Sequence, residues 1–111
     1  MEDKIKSGYL YDFYGELLTE RQRSVYEMSI NDDLSLSEIA DSLSISRQAV
    51  HDIIKRCDHQ LEEYEDKLHL VEKFMAVRGT VLQINELTSA EPGEDTLKEI
   101  SRLSALILEE L

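Results

Sequence analysis

The chain has 111 residues, enough for one compact domain with a modest core and no staples. Twelve Lys and Arg against twenty-four Asp and Glu give a formal net charge of −12, unlike the strongly basic proteins that hold nucleic acid by charge alone. One cysteine, Cys57, excludes an internal disulfide and fits a reducing cytoplasm, and no run of eighteen apolar residues is present to cross a membrane.

One proline and four glycines interrupt the chain, and its apolar residues recur mostly at intervals of three and four, so the predicted fold class is all-α. The opening MEDKIKSGYLYDFYGELL lacks the apolar run and cleavage site of a signal peptide. A cytoplasmic protein without membrane insertion is expected. Ile5, Tyr9, Leu10, Phe13, Tyr14, Leu17 and Leu18 fall at helical spacing and predict a first amphipathic helix over residues 3–18. Its cluster of Tyr9, Tyr11, Phe13 and Tyr14 has the composition of a stacking platform for bases, but the shared apolar face favours core packing, with Tyr11 the exposed member.

Thr19 and Gln22 form a capping box that starts a second helix, with Val25, Tyr26 and Met28 inward and an end near Asn31, Asp32 and Asp33. Arg21 and Arg23 sit on its first turn, either near a sugar-phosphate backbone or as solvated surface charges. The stretch from Leu36 to Ile54, LSLSEIADSLSISRQAVHDII in its full context, then has the punctuation of a helix-turn-helix. A short helix carries Leu36, Ile39, Ala40 and Leu43 on one face; a second, capped by Ser46, carries Ala49, Val50, Ile53 and Ile54. Ala40 belongs at the crossing, where a larger side chain would hold the helices apart. Arg47 and Gln48 project from the first turn of the second helix, where groove-reading helices make their contacts.

From Leu34 to Cys57 three basic residues (Arg47, Lys55, Arg56) balance three acidic ones (Glu38, Asp41, Asp52), whereas from Asp58 onward five basic face thirteen acidic residues, a net of −8. The excess acid therefore lies mostly outside the motif, and a protein partner competes with nucleic acid as its ligand.

Cys57, Leu61, Tyr64, Leu68, Val71, Met75 and Leu82, with Arg78 filling one seam position, follow a heptad that predicts a long helix, packed on its own chain or on another. Gly79 and Thr80 are where it is expected to bend or break. Glu62, Glu63, Glu65 and Asp66 form a solvated face or an acidic docking surface. TSAEPGED, Thr88 to Asp95, reads as the one clear loop, followed by a capping box of Thr96 and Glu99 and a last helix bearing Leu97, Ile100, Leu103, Ser104, Ile107 and Leu111. That helix should fold back antiparallel, and its apolar width, with Leu106 and Leu108, predicts a homodimer or a helical partner. Altogether this is a single helical domain over 1–111, with a helix-turn-helix core at 19–57 and a long helix plus C-terminal helix for association at 58–111.

LLTERQRSVYEMSINDDLSLSEIADSLSISRQAVHDIIKR, Leu17 to Arg56, resembles the last DNA-binding region of bacterial sigma factors, a helix-turn-helix without a wing. LYDFYGELLTERQ before the motif and CDHQLEEYEDKLHLVEKF after it are similar to the YlxM family of small bacterial helix-turn-helix proteins linked to the signal recognition particle. The resembling segments cover residues 9 to 75. This resemblance implies an accessory or regulatory role in that pathway, with the particle's RNA, its GTPase, or both as partners.

Carried over by position, the sigma-like pattern places groove contacts at Arg47, Gln48, His51 and Asp52, with Lys55 and Arg56 nearer the backbone. Three positions depart from it. His51 replaces a frequent basic residue and would carry only partial charge near neutral pH. Asp52 puts acid on a groove-facing helix, although a carboxylate accepts from a cytosine amino group. Ser44 occupies a turn position that commonly takes glycine, and positive φ would strain it by about 1 kcal/mol. Duplex DNA, RNA and protein all stay open as ligands. There is no glycine-rich phosphate loop or nucleophile arrangement, and His51, His59 and His69 lack metal-ligand spacing, so neither catalysis nor a cofactor is expected.

Overall fold

Caps set the helix boundaries in the first half of the chain. The computed structural model describes residues 2–89, 91 and 93–111, the side chains of Glu2 and Asp3 excepted. Within them lie six helices, α1 (Glu2–Tyr14), α2 (Glu20–Ile30), α3 (Leu36–Leu43), α4 (Arg47–Leu68), α5 (Leu70–Thr88) and α6 (Glu94–Glu110), and no strand. The fold is all-α, a helix-turn-helix without a wing followed by further helices, as expected. By its internal contacts the chain forms two compact units, Met1–His69 and Leu70–Leu111, so residues 58–69 go with the helix-turn-helix.

In the first unit the predicted helix over 3–18 ends sooner, at Tyr14, and tightens into a 3₁₀ turn at Gly15–Leu17 before Leu18 and Thr19 extend. Close packing favours a glycine here: a Cβ on Gly15 would lie 2.8 Å from Tyr11 Cε1, so the Tyr11 ring would have to shift to admit one. Thr19 and Gln22 then make the capping box predicted for them, with Gln22 N–H donating to Thr19 Oγ1 at 3.2 Å and Thr19 N–H to Gln22 Oε1 at 3.0 Å. Two such bonds satisfy amides that a helix start otherwise leaves open.

The aromatic cluster divides between two neighbours. Tyr14 is buried, with its ring 5.9 Å from that of Tyr64 on α4. Tyr11, expected to be exposed, is half-buried: it faces α2, stacks on Tyr26 at 5.6 Å and donates its hydroxyl to Glu27 Oε2 at 2.5 Å. Phe13, at 37% exposed, is the outermost of the four. Leu10, Tyr14, Leu18, Tyr26, Cys57 and Leu61 are buried beside a separate cluster of Val25, Ile39, Ala40 and Val50, which is the centre of the helix-turn-helix.

Where the heptad suggested one helix from Cys57 to Leu82, α4 stops at Leu68 and His69 takes the left-handed conformation, φ 56 and ψ 27. Its N–H still bonds Glu65 O at 2.8 Å, the usual way a left-handed residue closes a helix. The break expected at Gly79 and Thr80 is absent, since α5 passes through both. A glycine costs an interior turn only about 1 kcal/mol, and Thr80 Oγ1 donates back to Ala76 O at 3.1 Å.

In the second unit α5 and α6 pack on each other around buried Leu103, with Val77, Ile84, Ile100 and Ile107 half-buried. Leu70 and Phe74 at the start of α5 share a cleft with Glu110 and Leu111 at the end of α6, so the pair is antiparallel. The capping box expected at Thr96 and Glu99 is not formed. Helix α6 begins earlier, at Glu94, with extended Gly93 as a cap that has no side chain to offer, and Glu99 instead accepts from Arg102 Nε at 2.7 Å. Glu94 and Asp95 give the first turn its favourable negative charge. The loop between the helices is thus shorter than Thr88 to Asp95, and Ala90 and Pro92 of the predicted loop lie outside the described residues.

Candidate nucleic-acid interface

Helix α3 is started by a capping box that the motif itself contains. Glu38 N–H donates to Ser35 Oγ at 3.1 Å and Ser35 N–H to Glu38 Oε1 at 2.9 Å, bonds that hold the Glu38 carboxyl below its ordinary range. The S-x-x-E spacing of Ser35 and Glu38 is the sequence signal of this box. Ser44 ends α3 at φ 56, ψ 44, the left-handed strain expected of it. Both its N–H and that of Ile45 converge on Ala40 O, the latter at 3.1 Å, which closes the turn in three residues. Ser46 then caps α4 by accepting from Ala49 N–H at 3.0 Å.

Ala40 sits where the sequence requires it, 4% exposed in the same cluster as Val50. Leu36, Leu43, Ile45, Ile53 and Ile54 pack around that cluster, so the inward stripe of α4 is fully used by the fold. The outward half is free to carry chemistry. Residues four apart on a helix line up, so Arg47, His51 and Lys55 form one row and Gln48, Asp52 and Arg56 the next. All six are exposed.

This half carries three cations (Arg47, Lys55, Arg56) and one anion (Asp52), a formal +2 with His51 neutral, on a chain of −12. No acidic residue stands in the first turn of α4, where the helix dipole and Arg47 both favour an anionic ligand. Asp52 is not isolated: Gln48 Nε2 donates to its Oδ1 at 2.9 Å and His51 Nδ1 lies 3.7 Å from the same oxygen. Farther along, the helix turns acidic, with Glu63 paired to His59 at 2.9 Å and Glu62 to Lys6 at 3.7 Å.

Arg21 and Arg23 are placed differently. The start of α2 docks well down α4, where Gln22 Nε2 donates to Gln60 Oε1 at 2.7 Å and Cys57 Sγ to Gln22 O at 3.9 Å. That level is about 15–20 Å along the axis from Arg47. Arg23 also stands among acid, sharing shallow clefts with Asp12, Glu16, Glu20, Glu27 and Asp32. Burial, and then the bond to Glu27, raise the Tyr11 phenol above its usual value, while Arg23 pulls the other way.

Cys57 is buried, and desolvation, helped by the Asp58 carboxylate, pushes its thiol up to about 11. Among the described residues no group of three or more His, Cys, Asp or Glu side chains is arranged to hold a metal ion, and no helix is long and apolar enough to cross a membrane.

Comparison with known proteins agrees with this architecture. The model of the UPF0122 family, helix-turn-helix proteins of the YlxM / p13 like type, matches residues 1–101. A UPF0122 protein of Clostridium botulinum is 56% identical over 86 residues, 78% of this chain and 79% of the relative. One from Clostridium kluyveri is 59% identical over 73 residues, 66% of each chain, and one from Bacillus thuringiensis is 48% identical over 91 residues, 82% of this chain and 83% of the relative. With a family model spanning nearly its whole length and relatives this similar, the chain belongs to the UPF0122 family of YlxM/p13-like helix-turn-helix proteins.

Proposed function

We propose that this protein binds nucleic acid through the exposed half of α4 and acts by binding, without a catalytic step, as a regulatory or accessory protein of the cytoplasmic signal recognition particle pathway. One observation supports the binding: the helix-turn-helix turns a formally positive row of Arg47, His51 and Lys55, with Arg56 beside it, outward from a strongly acidic body. A chain that accumulates acid elsewhere and spares this surface has an electrostatic reason to present it to phosphate. The pathway rests on the YlxM resemblance of the flanking segments, with the particle's RNA, its GTPase, or both as partners.

A second reading, a dimeric transcription regulator on duplex DNA, is favoured by the form of the site. A projecting helix fits the wide major groove of B-form DNA, whereas the major groove of A-form RNA is too deep and narrow for side chains to read. Gel-shift titrations of the purified protein against the particle RNA and duplex DNA, across salt concentrations, separate the readings. Salt-dependent RNA binding lost in Arg47→Ala supports the first. Sequence-specific duplex binding lost in the same variant sinks it in favour of the second. Retention of the GTPase in a pull-down, with neither nucleic acid bound, makes the motif a protein-docking scaffold instead.

A further inference from the structure

Gln48 and Asp52 stand one turn apart in the middle of the outward half of α4, with Arg47 before them and Lys55 and Arg56 after. The hydrogen bond between them, Gln48 Nε2 to Asp52 Oδ1 at 2.9 Å, decides which way the amide points. Its amino end must face the carboxylate, because two oxygens at that distance repel. The usual glutamine contact with adenine needs carbonyl and amino group side by side on N6 and N7; here Asp52 takes one of the two amide N–H groups, and its carboxylate stands where adenine N7, an acceptor, would have to approach. What the pair offers outward is two acceptors, the Gln48 carbonyl oxygen and the second oxygen of Asp52, beside the one amide N–H that Asp52 leaves free.

Base edges in the major groove respond differently to such a surface. Guanine shows two acceptors there and thymine one, so each meets the carboxylate with repulsion. Adenine sets an acceptor beside its amino group. Cytosine alone presents a donor with no adjoining acceptor of its own. Resting on the nucleic-acid reading above in its duplex form, we infer that Gln48 and Asp52 act together as an acceptor pair selecting a cytosine amino group in the major groove. Arg47, Lys55 and Arg56 supply the attraction to the backbone, and Asp52 gives up some of that attraction in exchange for choice of base.

The test is selection from a randomised duplex DNA library by the full chain at low salt, on the order of 50 mM, in parallel with Gln48→Ala, Asp52→Ala and Arg47→Ala. Circular dichroism checks that these exposed-site variants keep their helix. The intact protein should enrich cytosine at one position by about ten-fold over other bases. Asp52→Ala and Gln48→Ala should each bring that preference below about two-fold, with Asp52→Ala binding the unselected library at least as tightly as the intact protein, since a negative charge has gone. Arg47→Ala should weaken binding across the whole library. A cytosine preference that survives unchanged in Asp52→Ala, or selection of another base there, overturns the inference and leaves duplex binding standing. Binding of the particle RNA without duplex DNA also overturns it alone, and binding of neither overturns it together with the nucleic-acid reading.

Discussion

Tyr14 donates its hydroxyl to Glu65 Oε1 at 2.6 Å, joining the last residue of α1 to the far end of α4 across 51 positions of sequence. Tyr26 makes a similar bond to Asp58, so two tyrosines fasten the N-terminal helices to α4 at different levels. A ring committed in this way is not available for stacking on bases. Tyr14→Phe keeps the buried ring and removes only the bond, which should cost about 1–2 kcal/mol and lower Tm by roughly 5–10 °C. Thermal denaturation reads the effect, and nucleic-acid affinity measured well below Tm should not change.

Ser44 carries the strain of the helix-turn-helix turn at φ 56. Ser44→Gly, which tolerates that conformation, should raise stability by about 1 kcal/mol, and Ser44→Val should lower it by at least as much, as read from urea midpoints. A loss of stability in Ser44→Gly would show that the serine hydroxyl contributes more than its backbone costs.

The contrast between that turn and the one at His69 shows how far the sequence could be read. Ser46 and Thr19 have the residue types that cap helices, Ala40 has the size a crossing demands, and all three stand where their chemistry predicts. At His69 nothing announces the stop: neither glycine nor proline marks it, and Leu68, Val71 and Met75 carry the apolar rhythm straight past. Helix periodicity reports which residues share a face, not whether one helix holds them all. The start of α6 failed for another reason, since Gly93 caps through its backbone and leaves no side-chain pattern to recognise. At the candidate site Arg47 and its neighbours were legible from the Ser46 cap, and Gln48 and Asp52 have the spacing for a bond. That the amide is held amino end first by Asp52 depends on the rotamers the folded helix selects, which spacing does not encode.

Cys57 ties stability to alkaline pH. Its thiol rises from 9.0 to about 11 on folding, through burial first and the Asp58 carboxylate second. The folded state therefore favours the neutral thiol, a contribution fully present below about pH 9 and lost as pH climbs from 9 to 11. The urea midpoint of the intact protein should fall more over that interval than that of Cys57→Ala, which cancels the tyrosines common to both. Iodoacetamide should label Cys57 slowly at pH 8 in the native protein and rapidly in urea.

Helix α6 leaves Leu97 64% and Leu108 72% exposed, on the element expected to mediate self-association. Sedimentation velocity should show a concentration-dependent dimer, and Leu97→Glu with Leu108→Glu should shift it to monomer without loss of helix, because neither side chain is needed inside the hairpin. A monomer at all concentrations would remove the homodimer from the proposal and weaken its transcription-regulator form, which needs two recognition helices on one duplex.

Phosphate contacts leave a quantitative trace in salt. Each one releases condensed counterions, so the slope of log K against log salt is about −0.9 for every duplex phosphate neutralised. If Arg47, Lys55 and Arg56 each meet a phosphate, each alanine substitution should make the slope shallower by about 0.9 and weaken all sequences alike. Asp52→Ala should leave the slope unchanged, because an anion releases no counterion from the duplex. Arg23→Ala should also leave it unchanged: Arg23 lines a cleft with Glu20, Glu27 and Asp32, whose negative charge repels a phosphate. A slope that loses a full unit with Arg23→Ala would extend the interface onto α2, and a slope indifferent to Arg47 would move it off the first turn of α4.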